Sequence, residues 1–183
     1  MTTTIQIPTD WQWRQFLHDE IFHRDIAYLP TNRALNHFSQ HLTKYGNRLQ
    51  SDDEVVKEKA TIDSLFITMA IANRLNVRIL SFGVPIHFID DHVSLGAVGT
   101  ELIATLAKCM EAFDHLEDFA YRETFMSATK ELFSICLREL HRKHSTNLEQ
   151  VLMDRWVEIE KKSIFYRYLK HELNTRWGVW HHG

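Results

Sequence analysis

Ten residues near the middle of the chain, MEAFDHLEDF at positions 110–119, carry four carboxylates: Glu111, Asp114, Glu117 and Asp118. Wound as a helix, Glu111, Asp114 and Asp118 stand at i, i+3 and i+7 and share one face. Like charges so placed cost a helix about 0.2–0.5 kcal/mol per pair. Such a face is either turned to solvent or used to hold a cation. Glu131 extends the second reading. If the chain folds back near Ala120, as an antiparallel helical hairpin, Glu131 is carried toward Glu111 and Asp114. Three carboxylates converging from two helices form a hard-oxygen site suited to Mg²⁺. A metal held there polarises a phosphoryl group and generates a hydroxide-like water. Lys130 and His115 adjoin these acids and are candidate phosphate contacts. No Pro or Gly marks the break, so the hairpin rests on EDFAYRE alone. A helix running straight through would hold Glu111 and Glu131 about 30 Å apart.

Histidines form the second group. His37 and His41 are spaced i, i+4, and Lys44 and Arg48 continue their stripe. That stripe suits an exposed polar face, a pair of metal ligands, or contact with the phosphates of a nucleotide. HDEIFHRD, at 18–25, places His18 and His23 at i, i+5, which on a continuous helix do not share a face, and no histidine precedes His18 to complete an HD-type metal site. No GxGxxG, Walker or GxSxG motif is present. Cys109 and Cys136 lie in apolar helical patterns and read as buried thiols, without the paired spacing of a zinc site.

The elements that must position these residues read as helices. The chain has 183 residues, 44% apolar and 25% charged, with only 6 Gly and 3 Pro, so turn chemistry is scarce and elements are long. Helices are predicted from Trp11, after Pro30, from the Ser51–Glu54 capping run, from Ser94 or Gly99 to about Phe119, from Tyr121 to His144, and after Thr146 or Asn147. VRILSFGVPIHFIDD, rich in β-formers and broken by Gly83 and Pro85, reads as a crossover with one short extended stretch. The tail, with Trp177 and Trp180, is expected to dock on the body or on a partner. The expected architecture is one all-α domain over 1–183, with six or seven helices around a central four-helix core. Segments 31–80 and 98–165 are candidate halves of an internal duplication.

Charge and leader signals bound the setting. A formal charge of −3 supplies no field for nucleic acid, and the late basic residues are interleaved with acids. The N-terminus has no basic and apolar leader pattern. The most apolar window, 62–80, is interrupted by Asp63, Asn73, Arg74, Asn76 and Arg78, which excludes a membrane span there. The expected location is cytoplasmic.

Residues 145–163, STNLEQVLMDRWVEIEKKS, resemble the segment after the second metal helix of MazG-like all-α NTP pyrophosphohydrolases. That family's E-E-x-x-E and E-x-x-D signature falls on Met110–Asp114 and Ala128–Glu131, with a 13-residue spacer. Glu111, Asp114 and Glu131 remain acids, whereas Met110 and Ala128 stand where the pattern has carboxylates. The resemblance extends over 100–165 and more loosely over 33–80, where QHLTKY supplies no acid and ATID keeps only Asp63. It implies Mg²⁺-dependent hydrolysis of a nucleoside triphosphate to monophosphate and pyrophosphate, with Glu111, Asp114 and Glu131 on the metal. His115, Lys130, His37, His41 and Lys44 are then the candidate substrate contacts. It also implies a homo-oligomer. The two missing acids leave a second expectation, a non-catalytic helical interaction protein that keeps the fold.

Overall fold

The computed structural model describes residues 10–79, 94–118 and 120–181, with backbone alone at 179–181. These residues form eight helices and no strand: α1 (Asp10–Phe22), α2 (Arg24–Ala27), α3 (Thr31–Leu49), α4 (Glu54–Arg74), α5 (Leu95–Asp114), α6 (Tyr121–Lys143), α7 (Leu148–Glu160) and α8 (Tyr166–His181). The fold is all-α, as the scarcity of Gly and Pro implies. Two helices lie outside the six predicted starts: α2, a single turn, and α8, in the tail. The crossover segment lies mostly outside the described residues.

Local chemistry sets the ends. Asp53 caps α4, its carboxylate accepting from the backbone N–H groups of Val55 and Val56 at 2.9 and 3.3 Å. Asn76, at φ 55°, closes the other end, where Val77 N–H returns to the Ala72 carbonyl at 2.9 Å. Helix α5 ends the same way with Leu116 at φ 55°, Glu117 N–H reaching the Ala112 carbonyl and Leu116 N–H that of Phe113. Gly46 does not stop α3, which runs three residues further.

Helix α3 packs on α4 and α5, and α6 packs on the same two helices, so α3–α6 close a four-membered ring. The hairpin between α5 and α6 is therefore formed, and the α3–α4 hairpin supplies its pairing face within one chain. Leu42, Leu49, Leu65, Met69, Leu106, Leu132, Phe133 and Cys136 fill the interior. Both cysteines are free and buried, and burial pushes the Cys136 thiol up to about 12. At one end of the ring α3 runs hard against α5: a Cβ on Gly96 would sit 3.0 Å from the Leu49 carbonyl oxygen. Across the α5–α6 turn Phe125, Leu132 and Phe133 are buried, but Leu116 is not. It is 86% exposed, because the left-handed residue of the turn points outward, and Phe113 is 37% exposed against Tyr121.

The remaining helices wrap one side. Helix α1 packs on α4 and α8, and α7 packs on α4. Trp156 of α7 is fully buried and stacks flat on Phe66 of α4, centroids 4.2 Å apart. Leu173 of α8 is buried with Leu17 and Ile21 of α1, and Trp177 is half-buried on the same cluster. The tail thus docks on the body through α8; the side chain of Trp180 is outside the described residues.

Candidate functional site

The carboxylates of the opening stretch do not converge within one chain. Glu111, Asp114 and Glu131 are all exposed. Leu132, next to Glu131, reaches within 3.9 Å of where a Cβ on Gly99 would lie. Glu111 is twelve residues beyond Gly99 on the same helix, or about 18 Å along its axis. The positions turned into the ring are Met110 and Ala128, 6% and 4% exposed. The hairpin forms, but its register and rotation put the surviving acids outside and apolar groups inside. Among the described residues no group of three or more His, Cys, Asp or Glu is placed to hold a metal ion. The residues present therefore do not fit a three-carboxylate Mg²⁺ site in a single chain. His115 is exposed at the α5–α6 turn, 4.0 Å from Glu117, and Lys130 is half-buried on α6.

The other three candidate substrate contacts meet elsewhere. His37, His41 and Lys44 of α3 line a cavity of about 630 Å³ bounded by α1, α3, α4 and α7. The His37 and His41 rings lie 4.5 Å apart between centroids. Opposite them, α1 contributes His18 and Asp19, and the break before α2 contributes His23. That break turns the His23 ring to 5.0 Å from His18, across a spacing that a continuous helix would keep apart. Phe22, Phe38, Phe66, Ile67 and Ile159 make the apolar wall.

A chain of buried hydrogen bonds fixes the deep end. Trp156 Nε1 donates to Gln15 Oε1 at 2.9 Å, so the Gln15 amide nitrogen must face Asp19, to whose Oδ1 it donates at 2.8 Å. Glu160 Oε1 accepts from Arg14 and lies 3.1 Å from His18 Nδ1. The other Glu160 oxygen is buried and takes no hydrogen bond among the described residues. On the far side, Arg155 holds Asp63 with two hydrogen bonds, 2.8 and 2.6 Å.

Electrostatics follow from burial and crowding. Burial raises the Asp19 carboxyl to about 7, against the smaller opposing effect of the Gln15 bond. Burial also lowers His18, outweighing its contact with Glu160. His41 is lowered to about 4, first by burial and then by Lys44 and the neighbouring histidines. His37 and His23 are lowered for the same kinds of reason. Burial alone would raise Glu160, but the His18 and Arg14 contacts prevail and hold it below the usual carboxylate range. At neutral pH the cavity thus presents neutral imidazoles, two paired carboxylates, and a carboxyl poised to gain or lose a proton.

Sequence reasoning found the α3 stripe and missed its partners. The i, i+5 spacing argues against pairing His18 with His23 only on a continuous helix, and it fails at the α1–α2 break; the absence of an upstream histidine argues against Asp19 only as part of an HD-type metal site. Gln15, Arg155 and Glu160 carried no signal beyond their polarity in otherwise apolar helices. No protein-family model, no curated protein and no solved structure matches the chain. Among the described residues no helix is long and apolar enough to cross a membrane.

Proposed function

We propose that the protein binds a nucleoside triphosphate in the cavity between α1, α3, α4 and α7, and hydrolyses it to a monophosphate and pyrophosphate. One observation carries the reading: His37, His41 and Lys44 line a cavity together with the apolar groups of Phe22, Phe38, Phe66, Ile67 and Ile159. Its volume of about 630 Å³ lies in the range of small-molecule sites. Phosphates would sit on the imidazole and ammonium groups, and the base against Phe22, Phe38 and Phe66. Asp19 is suited to take a proton from the attacking water, because its carboxyl titrates near the operating pH. Water oxygen bonds to the α-phosphorus, the bond to the bridging oxygen breaks, and the electron pair leaves with pyrophosphate. Mg²⁺, which the resemblance implies, enters as the counter-ion of the triphosphate and so as part of the substrate; no step is derived through Glu111, Asp114 or Glu131. A second copy of the chain is the implied partner, and Ile164, Phe165 and Tyr168 are the exposed apolar groups it would cover.

A non-catalytic binding role is the second reading. The buried Met110 and Ala128 favour it, since apolar groups occupy the inward positions where the family pattern has acids.

A screen of ribo- and deoxyribonucleoside triphosphates with Mg²⁺ or Mn²⁺, followed by pyrophosphate release and by calorimetric binding, separates the two. Release that is lost in Asp19→Asn, with binding lost in Lys44→Ala, supports the enzyme. Binding without release leaves the second reading, and no binding removes both.

A further inference from the structure

Four imidazoles share one cavity in two facing pairs, His37 with His41 and His18 with His23, their ring centroids 4.5 and 5.0 Å apart. Lys44 stands one turn further along the stripe, at the exposed edge, with its Nζ over the Tyr45 ring. We propose that this cavity takes up an anion together with a proton, the proton settling on the His37–His41 pair, so that phosphate-type ligands bind more tightly as pH falls. The inference rests on the reading of the cavity as a phosphate site and adds its coupling to pH.

The argument is one of charge balance. On α7, Arg155 and Glu160 each have an opposite charge in place: Asp63 of α4 for the first, Arg14 of α1 for the second. Lys44 and Lys162 also line the cavity and form no ion pair among the described residues. Fixed charge at the wall is therefore net positive, with Asp19 of α1 as the variable group. An added proton on His37 is opposed by desolvation and Lys44 and favoured by Asp25 of α2; on His41 it is opposed by desolvation, Lys44, His37 and His23 and favoured by Asp63 of α4. A bound dianion reverses the electrostatic part of that balance, because an opposite charge within a few ångströms favours the protonated imidazole. Binding and protonation then reinforce each other, and by linkage each raises the affinity for the other. His18 is a poorer acceptor, since burial of its ring outweighs the favourable contact with Glu160, and Arg14 opposes a further positive charge there. His23, at the break, is a second alternative acceptor, disfavoured by desolvation and by the adjacent His18 ring.

Sulfate is the probe, because it keeps one charge across the working range whereas phosphate titrates within it. Titration calorimetry of the full chain with sulfate at pH 6, 7 and 8, in two buffers of different ionisation enthalpy, measures affinity and proton uptake together. We expect affinity to fall as pH rises, by at most about tenfold per unit for one coupled proton, with a matching uptake read from the buffer dependence. His41→Gln and His37→Gln should each weaken sulfate binding at pH 6 and flatten the pH profile. Lys44→Gln should weaken it at every pH and keep the slope. Equal affinity at all three pH values, or no sulfate binding at any, overturns the inference. A nucleotide that binds without proton uptake overturns the coupling alone and leaves the site; loss of both nucleotide and sulfate binding removes the site as well.

Discussion

Arg155 of α7 grips Asp63 of α4 with two parallel hydrogen bonds, Nε to Oδ1 at 2.8 Å and Nη2 to Oδ2 at 2.6 Å. The side chains are 11% and 7% exposed. The fork geometry gives direction as well as energy, and it ties α7 to the bundle beside the cavity. Asp63→Ala should cost about 1.5–3 kcal/mol, because Arg155 loses its bidentate partner in a largely dry site but keeps Glu158, 2.7 Å away. Urea denaturation measures it; replacing both partners by apolar residues should restore much of the loss.

Asp19 should trade stability for chemistry. Its folded carboxyl titrates near 7, above the unfolded value. Between about pH 4 and 7 the unfolded chain releases this proton while the folded chain retains it, so the group costs stability as pH rises through that window. Asp19→Asn should therefore be more stable than the parent at pH 8 and no more stable at pH 3.5. Thermal melts at the two pH values check it, and pyrophosphate release should fall in the same variant.

The neutral histidines act in the opposite sense. His18 and His41 have folded pKa values below the unfolded value near 6.5. As pH falls below about 6.5 the unfolded chain protonates first, and stability drops. Proton NMR of the imidazoles should show His41 still neutral at pH 6 and His18 titrating below a free imidazole, and His18→Gln should flatten the acid limb of the stability profile.

Leu116 is a removable strain. It holds φ 55° at the end of α5 with 86% of its surface exposed. Left-handed backbone costs a non-glycine residue about 1–2 kcal/mol, and little burial is lost on its removal. Leu116→Gly should raise the melting temperature by a few degrees, about 1 kcal/mol less glycine's extra chain entropy. Leu116→Val, branched at Cβ, should lower it.

Helix α8 holds α1 in place through Leu173, which is 3% exposed against Leu17 and Ile21. Leu173→Ala should cost about 2–4 kcal/mol from lost transfer energy and the cavity left behind. Chemical denaturation reads the loss. Because α1 carries His18 and Asp19, sulfate affinity should weaken in the same variant.

What the sequence determined by itself was local. Helical periodicity, the Asp53 cap, the Pro30 entry to α3 and the hairpin break near Ala120 are set by neighbours within a few residues, and all of them appear in the fold. The buried cysteines and the four-helix core follow from apolar spacing on those helices. Two things were decided only by tertiary structure. The rotation of α5 and α6 chose which of their residues face inward, and it buried Met110 and Ala128 while leaving Glu111, Asp114 and Glu131 in solvent. The cavity joins His18 to Glu160 across 142 positions of sequence, and the His23 ring reaches it only because α1 breaks there. Spacing along a chain ranks residues on one helix. It says nothing of which faces of distant helices will meet, because that is settled by the packing of the whole apolar core rather than by any pair of polar groups.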